Sequence, residues 1–462
     1  MKKYSLIAFG TVALAASASA QNSIQPLMGA PMPGLTQLEL DQFEAGKLVF
    51  NTPLLESEGL GPIMNDVSCG ACHSTPAIGG FSTTVVTQFG DVGPPFDPLA
   101  NLGGGLLQSQ SISIPCEETV PAQATVTASR ITPHAFGAGL VQRIPDADIL
   151  AIEAVPPGGV VSGIAHLVNL LESPTTTKVG KFGWKNQVAT MLSFSVDAGK
   201  NEMGLTNQFD IHENAPNGDA ATLAACDSVA DPEDTVVALG LTRIELFDLF
   251  QQFLAPPPQT PRSGMTGESI FNSIGCADCH VASFTADVND PNPAFAGQPV
   301  RAYADFLLHD MGSLGDGIVQ GQGTELEMRT MPLWGIGQRE GLLHDGRSTG
   351  GTFEANIEDA ILQHAGEAQT SRDAYAALSS TDKDFVADFL RSLGRGEFDY
   401  ENDNDVDEFD IFFSFNDSEF TGPGAGTFTP DDAAAVSDFD QDGDYDLADF
   451  EVLMRAYTGQ QI

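Results

Sequence analysis

Two pentapeptides, Cys69-Gly-Ala-Cys72-His73 and Cys276-Ala-Asp-Cys279-His280, constrain this chain more than any other feature of its 462 residues. The Cys-x-x-Cys-His spacing is that of covalent c-type haem attachment. Two thiols at this spacing can add to the two vinyl groups of one porphyrin, and the adjacent imidazole then ligates the iron. A zinc knuckle or a redox dithiol uses the same two cysteines, but neither needs the trailing histidine. The expectation is therefore two covalently attached haem c groups, one on Cys69, Cys72 and His73 and one on Cys276, Cys279 and His280.

The N-terminus reads as an export signal: Lys2 and Lys3, an apolar stretch from Leu6 to Ala16, and Ala18-Ser19-Ala20 as a small-residue cleavage site. The stretch is short for a bilayer span, which needs about 20 apolar residues. Residues 1–20 are thus expected to be a signal peptide, with the mature protein in the periplasm or at the cell surface. Disulfides persist there, and the two remaining cysteines, Cys116 and Cys226, are expected to bridge, two idle thiols being the alternative. The balance of 20 basic against 63 acidic residues gives a net charge of −43. That field repels phosphate backbones and anionic lipid surfaces, so it argues against nucleic-acid and peripheral membrane partners and favours basic proteins and divalent cations.

Each pentapeptide follows a similar lead-in, with Gly-x-x-aliphatic-Phe at Gly46–Phe50 and again at Gly267–Phe271. Thr36 with Glu39 offers a capping box for the first of these helices. This weak internal repeat suits two joined cytochrome-c-like units, with Ala255–Gly264 (APPPQTPRSG) as the linker. A second-unit helix is marked by Phe385, Val386, Phe389, Leu390 and Leu393, and Gly394 suits its C-terminal end. The 48 glycines and 28 prolines favour loop-rich insertions, chiefly over Phe81–Ala128. The expected fold class is mainly α: haem domains at 21–258 and 259–396, then a different C-terminal module at 397–462.

The residues around the pentapeptides resemble those of the bacterial di-haem oxidoreductases, a family that includes peroxidases and thiol oxidoreductases. The matching segments include SCGACHSTPAIGG (Ser68–Gly80), FGAGLVQRIPD (Phe136–Asp146), FGWKNQVATM (Phe182–Met191), NEMGLTN (Asn201–Asn207), TMPLWGIG (Thr330–Gly337), LLHDGR (Leu342–Arg347) and ILQHAGEA (Ile361–Ala368). They run in order over roughly residues 36–396. The family is similar, more distantly, to di-haem cytochrome c peroxidases.

The resemblance implies roles for single residues. Trp184 matches the tryptophan that carries electrons between the two haems. Glu202 matches a glutamate on the peroxide side of the first haem, where a carboxylate can relay a proton between the two oxygens of the peroxide. His364 stands in the region that supplies a methionine ligand in related peroxidases, which makes it the expected sixth ligand of the second haem; His309, Met311 and Met331 are the alternatives. Histidine in place of methionine would lower that haem's potential. Arg347 is expected to bind a haem propionate, with His344 beside it. Met203, His166 and His212 read as structural. In one respect the chain departs from the peroxidases: no histidine occurs between His73 and His134, so the first iron is either five-coordinate or covered by a remote residue such as His134.

Residues 398–462 hold 18 acidic residues and one basic residue. Asp399, Glu401, Asp403, Asp405, Asp407 and Asp410 occupy positions 1, 3, 5, 7, 9 and 12 of a calcium loop. Asp438, Asp440, Asp442, Asp444, Asp446 and Asp449 repeat the pattern, with Gly443 or Asn404 at the sharp turn of position 6. An apolar segment follows each loop. The pair resembles a dockerin, an EF-hand-like docking module, and implies two Ca²⁺ ions and a cohesin-like surface receptor. The whole chain is then expected to be an exported di-haem oxidoreductase that uses hydrogen peroxide and takes electrons from a small redox protein. The competing reading is an electron-transfer cytochrome with both irons saturated by protein ligands.

Overall fold

A computed structural model describes residues 24–154, 161–417, 423–424, 426 and 428–457. The expected signal peptide lies outside these residues. Helix α1 (Gln37–Asn51) begins where the sequence places its cap: Thr36 accepts from the Glu39 amide, and the Glu39 carboxylate returns to the Thr36 amide. Phe43, Gly46 and Phe50 share its buried face. A Cβ added at Gly46 would stand 2.5 Å from the Leu246 carbonyl oxygen and 2.8 Å from Phe250 Cβ. Glycine therefore lets α1 press directly on the helix Arg243–Phe253.

The second unit repeats this construction. The helix Thr266–Ser273 buries Gly267 and Phe271 against the helix Ser380–Ser392. A Cβ at Gly267 would fall 1.8 Å from the Phe385 carbonyl oxygen and 2.8 Å from Phe389 Cβ. The Gly-x-x-aliphatic-Phe repeat is thus a helix crossing used twice, with glycine at the point of closest approach.

Helices carry the cores, and the described strands form six two-stranded antiparallel ribbons. The longest pairs Val85–Gly90 with Val126–Ile131, inside the glycine-rich insertion. Cys116 and Cys226 form a disulfide that closes a 110-residue loop and staples this insertion to the segment ahead of the Arg243–Phe253 helix. The first core gathers residues from Met28 to Leu254, and also takes in Phe295, Phe306 and Trp334 from beyond the linker. A second core surrounds Phe271, Tyr303, Tyr375 and Phe389. A third, built on Phe398, Val406, Val452 and Leu453, belongs to the C-terminal module and packs on Ile24 near the start of the described chain.

Candidate functional site

The two pentapeptides sit in matching surroundings. His73 follows the one-turn helix Cys69–Cys72, and its Nδ1 lies 3.2 Å from the Gly80 carbonyl oxygen, with the Phe50 ring 6.0 Å away. His280 Nδ1 lies 2.9 Å from the Tyr303 carbonyl oxygen, with the Phe271 ring again 6.0 Å away. An Nδ1–H···O=C bond leaves the lone pair on Nε2, the state a ligand imidazole needs. Burial pushes both histidines down to about 4, so both are neutral at physiological pH. None of the four pentapeptide cysteines forms a disulfide.

His280 opens on an apolar cavity of about 200 Å³. Cys276, Cys279, His364, Trp184 and Phe271 share its walls. The donor set fits a haem. Arg339 Nε and Nη2 are buried without an acceptor, and the guanidinium lies 5.5 Å over Phe81 and 5.7 Å over Trp184. Arg329, on the same wall, reaches the Lys181 carbonyl oxygen and Met331 Sδ. Neither guanidinium forms an ion pair with a described carboxylate. Desolvation pulls them down to about 10 and about 9 respectively, and two buried cations of this kind call for anions, which haem propionates would supply. Arg347, expected to bind a propionate, stands apart from these two arginines. Its side chain is 44% exposed and turned onto Asp345, 2.6 Å away, so its charge is already matched outside the cavity. His344 does line the cavity, edge-on to Trp184 at 6.3 Å.

Among the candidates for a second axial ligand, His364 is the one with an uncommitted ring nitrogen. It follows the helix Phe353–Leu362, and its Nδ1 lies 2.9 Å from the Ala360 carbonyl oxygen, which leaves Nε2 for the cavity. His309 is held by carboxylates on both nitrogens, Asp305 at 2.9 Å and Glu367 at 3.1 Å, and they push it up to about 12. Met331 Sδ accepts from Arg329 at 2.8 Å, and Met311 packs in the cluster of Ile131, Trp184 and Met328.

His73 lines a second, smaller cavity of about 50 Å³ together with His134. Phe81 and Phe136 flank the His134 ring at 4.6 and 5.3 Å, and burial with the nearby Arg339 and Arg329 charges drives it down to about 3. Arg329, Met331, Pro332 and Trp334 line both cavities. Buried Trp334 is thus a wall of both cavities, whereas Trp184, expected between the haems, lines the His280 cavity, its Nε1–H tied to the Ile131 carbonyl oxygen at 3.0 Å. The segment TMPLWGIG that carries Trp334 is legible in the sequence, but its placement between two cavities is a tertiary fact.

Glu202 stands in the last turn of the helix Met191–Met203 and lies within electrostatic reach of the Cys69 and Cys72 sulfurs. Burial pushes its carboxyl up to about 7, opposed by a hydrogen bond from Asn65 Nδ2 at 2.8 Å. Met203 is buried in the first core, as packing requires. Lys185, next to Trp184, forms a buried network with Asp316 at 3.0 Å and, through it, Arg130 at 2.6 Å.

The two acidic loops of the C-terminal module share one internal geometry. Asp399 accepts from the amides of Asp403 and Asn404, and Asp438 from those of Asp442 and Gly443. Asp410 accepts from Tyr400 and Asp407, and Asp449 from Phe439 and Asp446. Position 6 is left-handed in both, φ +73° at Asn404 and +91° at Gly443. Ligand atoms of Glu401, Asp407 and Asp410 lie within 4.8 Å of one another, as do those of Asp438, Asp440 and Asp449. Asp403, Asp405, Asp442 and Asp444 stand in the same loops outside these triplets, although Asp444 groups with Asp446 and Asp449. The first loop is also fastened to the haem units: Asn404 exchanges two hydrogen bonds with the Met28 backbone, and Asn402 Nδ2 donates to the Gly337 carbonyl oxygen at 3.2 Å.

A paired set of cysteine–histidine sites beside two cavities with a shared wall is the layout of a di-haem redox protein. The chain belongs to the family described as "Di-haem oxidoreductase, putative peroxidase", whose model matches residues 118–393. The first pentapeptide precedes the matched span. Among solved structures the chain is similar to a MauG-like protein associated with microbial copper homeostasis, at 14% identity and a TM-score of 0.34, over 80% of this chain and 92% of that one. No curated protein matches it.

Proposed function

We propose that this is an exported di-haem peroxidase that reduces hydrogen peroxide, or uses it to oxidise a second substrate, with electrons from a small redox protein. The observation that carries this reading is the buried carboxyl of Glu202, which faces the first pentapeptide, whereas His280 shares its cavity with His364, whose Nε2 is uncommitted. Two haems, held by Cys69, Cys72 and His73 and by Cys276, Cys279 and His280, would supply peroxide binding and one-electron storage. His364 would saturate the second iron. Arg339 and Arg329 would hold propionates in the dry interior.

Reduction of H₂O₂ to two waters takes up two electrons and two protons. Glu202, ionised, would accept a proton from one peroxide oxygen and return it to the other, which would leave as water. Trp184 and Trp334 would shorten the electron path between the cavities. The C-terminal loops would bind two Ca²⁺ ions, and Phe409, Phe412 and Phe415, all more than half exposed, would meet a cohesin-like receptor. Electron paramagnetic resonance of the oxidised protein tests the reading. One high-spin and one low-spin ferric signal is expected; two low-spin signals would favour the electron-transfer cytochrome.

A further inference from the structure

We propose that Asn65 is a positioning residue that presents Glu202 to the first haem site with its Oε2 occupied, so that the relayed proton is carried on Oε1. This rests on the relay reading of Glu202 and extends it to a residue to which that reading gives no role.

The geometry fixes Asn65 from three directions. Its side-chain oxygen Oδ1 accepts from the Ser109 amide at 3.0 Å and from the Ser109 hydroxyl at 3.2 Å. Two donors on Oδ1 decide which way the amide faces, and Nδ2 is left to donate to Glu202 Oε2 at 2.8 Å. The backbone repeats the connection, because the amides of Asn65 and Asp66 both donate to the Glu202 carbonyl oxygen, at 2.8 and 3.2 Å. Gln110 Nε2 donates to the Asn65 carbonyl oxygen at 2.5 Å, and Gln108 Nε2 reaches the Asn201 carbonyl oxygen at 3.0 Å. The strand pair Ile63–Met64 with Gln110–Ser111 holds all of this in register. Ser109 itself stands in the insertion that the Cys116–Cys226 disulfide staples down.

Asn65 therefore links three things: the chain four residues ahead of Cys69, the insertion, and the end of the helix that bears Glu202. The hydroxyl oxygen of a protonated carboxyl accepts an N–H bond more weakly than its carbonyl oxygen does, so occupation of Oε2 favours protonation on Oε1. The same bond stabilises the ionised carboxylate against burial. The other charged or titratable groups facing Glu202 are Asp197 on its own helix and the Cys69 and Cys72 sulfurs, with Asp66 beside Cys72; attached to haem, the sulfurs no longer titrate.

The test uses the holoprotein and three variants, Asn65→Leu, Asn65→Asp and Glu202→Gln. Infrared spectra across the pH range identify the Glu202 protonated-carboxyl band by its loss in Glu202→Gln, and its midpoint is read in the Asn65 variants. Loss of a hydrogen bond to a charged group should raise the midpoint in Asn65→Leu by about one pH unit or more. Asn65→Asp keeps the Ser109 bonds and adds a like charge, so it should raise the midpoint further, and it serves if the leucine variant does not fold. The pH at which the peroxide reaction turns on should move with the midpoint. A midpoint unmoved in a folded Asn65 variant overturns the inference, whatever Glu202→Gln does. A peroxide reaction untouched in Glu202→Gln overturns the relay reading instead, while the infrared shift still decides whether Asn65 sets the carboxyl.

Discussion

The indole Nε1–H of Trp184 donates to the main-chain oxygen of Ile131 across 3.0 Å, and the Ile131 amide in turn donates to the His344 carbonyl oxygen at 2.7 Å. The ribbon strand Val126–Ile131 thereby fixes an aromatic wall of the His280 cavity. Trp184→Phe keeps an aromatic ring but loses part of the indole and leaves a buried carbonyl without its donor; the lost bond alone should cost about 1–3 kcal/mol in denaturant unfolding. Electron transfer between the haems, followed after rapid one-electron reduction, should slow by about tenfold, or ~1.4 kcal/mol of barrier, with both haem spectra unchanged. An unchanged rate would remove Trp184 from the path and leave Trp334.

Glu202 carries a sign that can be worked out. Its folded-state value is raised from 4.5 to about 7 by burial, so the folded protein holds the proton that the unfolded chain has already lost. Its contribution favours folding below about pH 4.5 and is lost as pH rises through about 7. Function runs the other way, since only the ionised form accepts a proton. Peroxide turnover should rise through about pH 7, and Glu202→Gln should flatten that limb and lower the rate by about 10²–10⁴-fold. Stopped-flow rates between pH 5 and pH 9 check the kinetic statements, and stability in the glutamine variant should fall less steeply over that interval.

The Cys116–Cys226 bridge closes a loop of 110 residues. For loops near that length the chain-entropy model gives about 4–5 kcal/mol, an upper figure. Replacing both cysteines by alanine should lower the unfolding free energy by about 2–5 kcal/mol. Since the insertion also supplies Ser109, the peroxide reaction of the variant should weaken at temperatures where the rest of the fold still melts cooperatively, as parallel calorimetry and kinetics would reveal.

Calcium should reverse the pH dependence of the C-terminal module. Burial and neighbouring carboxylates raise Asp399 to about 7 and Asp410 and Asp449 to about 6, from 3.8. Without Ca²⁺ the module should therefore lose stability as pH rises from about 4 to about 7, because its folded form binds protons more tightly than the unfolded chain. Saturation at a hundred times the dissociation constant adds about 2.7 kcal/mol, and should do so only where the carboxylates are ionised. Differential scanning of the full chain at pH 5 and pH 8, with Ca²⁺ or with chelator, should show a large Ca²⁺ shift at pH 8 alone. Equal traces at pH 8 would count against a calcium module.

The pentapeptides, the repeated Gly-x-x-aliphatic-Phe, the leftover cysteine pair and the spaced acidic loops were all legible in the sequence. Each is a local pattern whose chemistry or steric demand lies within a dozen residues, or within a simple count of cysteines. Thr36 with Glu39 caps its helix, and Gly46 and Gly267 close their crossings, because capping and close approach depend on residue type alone. What the sequence did not yield depends on distance through space. Arg347 and Arg339 are the same residue type eight positions apart, yet one is matched by Asp345 in solvent and the other is buried without an acceptor over Trp184. Only the packed fold separates them, because the cost of an unpaired cation depends on how much water its surroundings exclude. Trp334 stands between the cavities, and Asn65 reaches Glu202 across 137 positions of sequence, for the same reason: long-range packing, not local pattern, chose their neighbours.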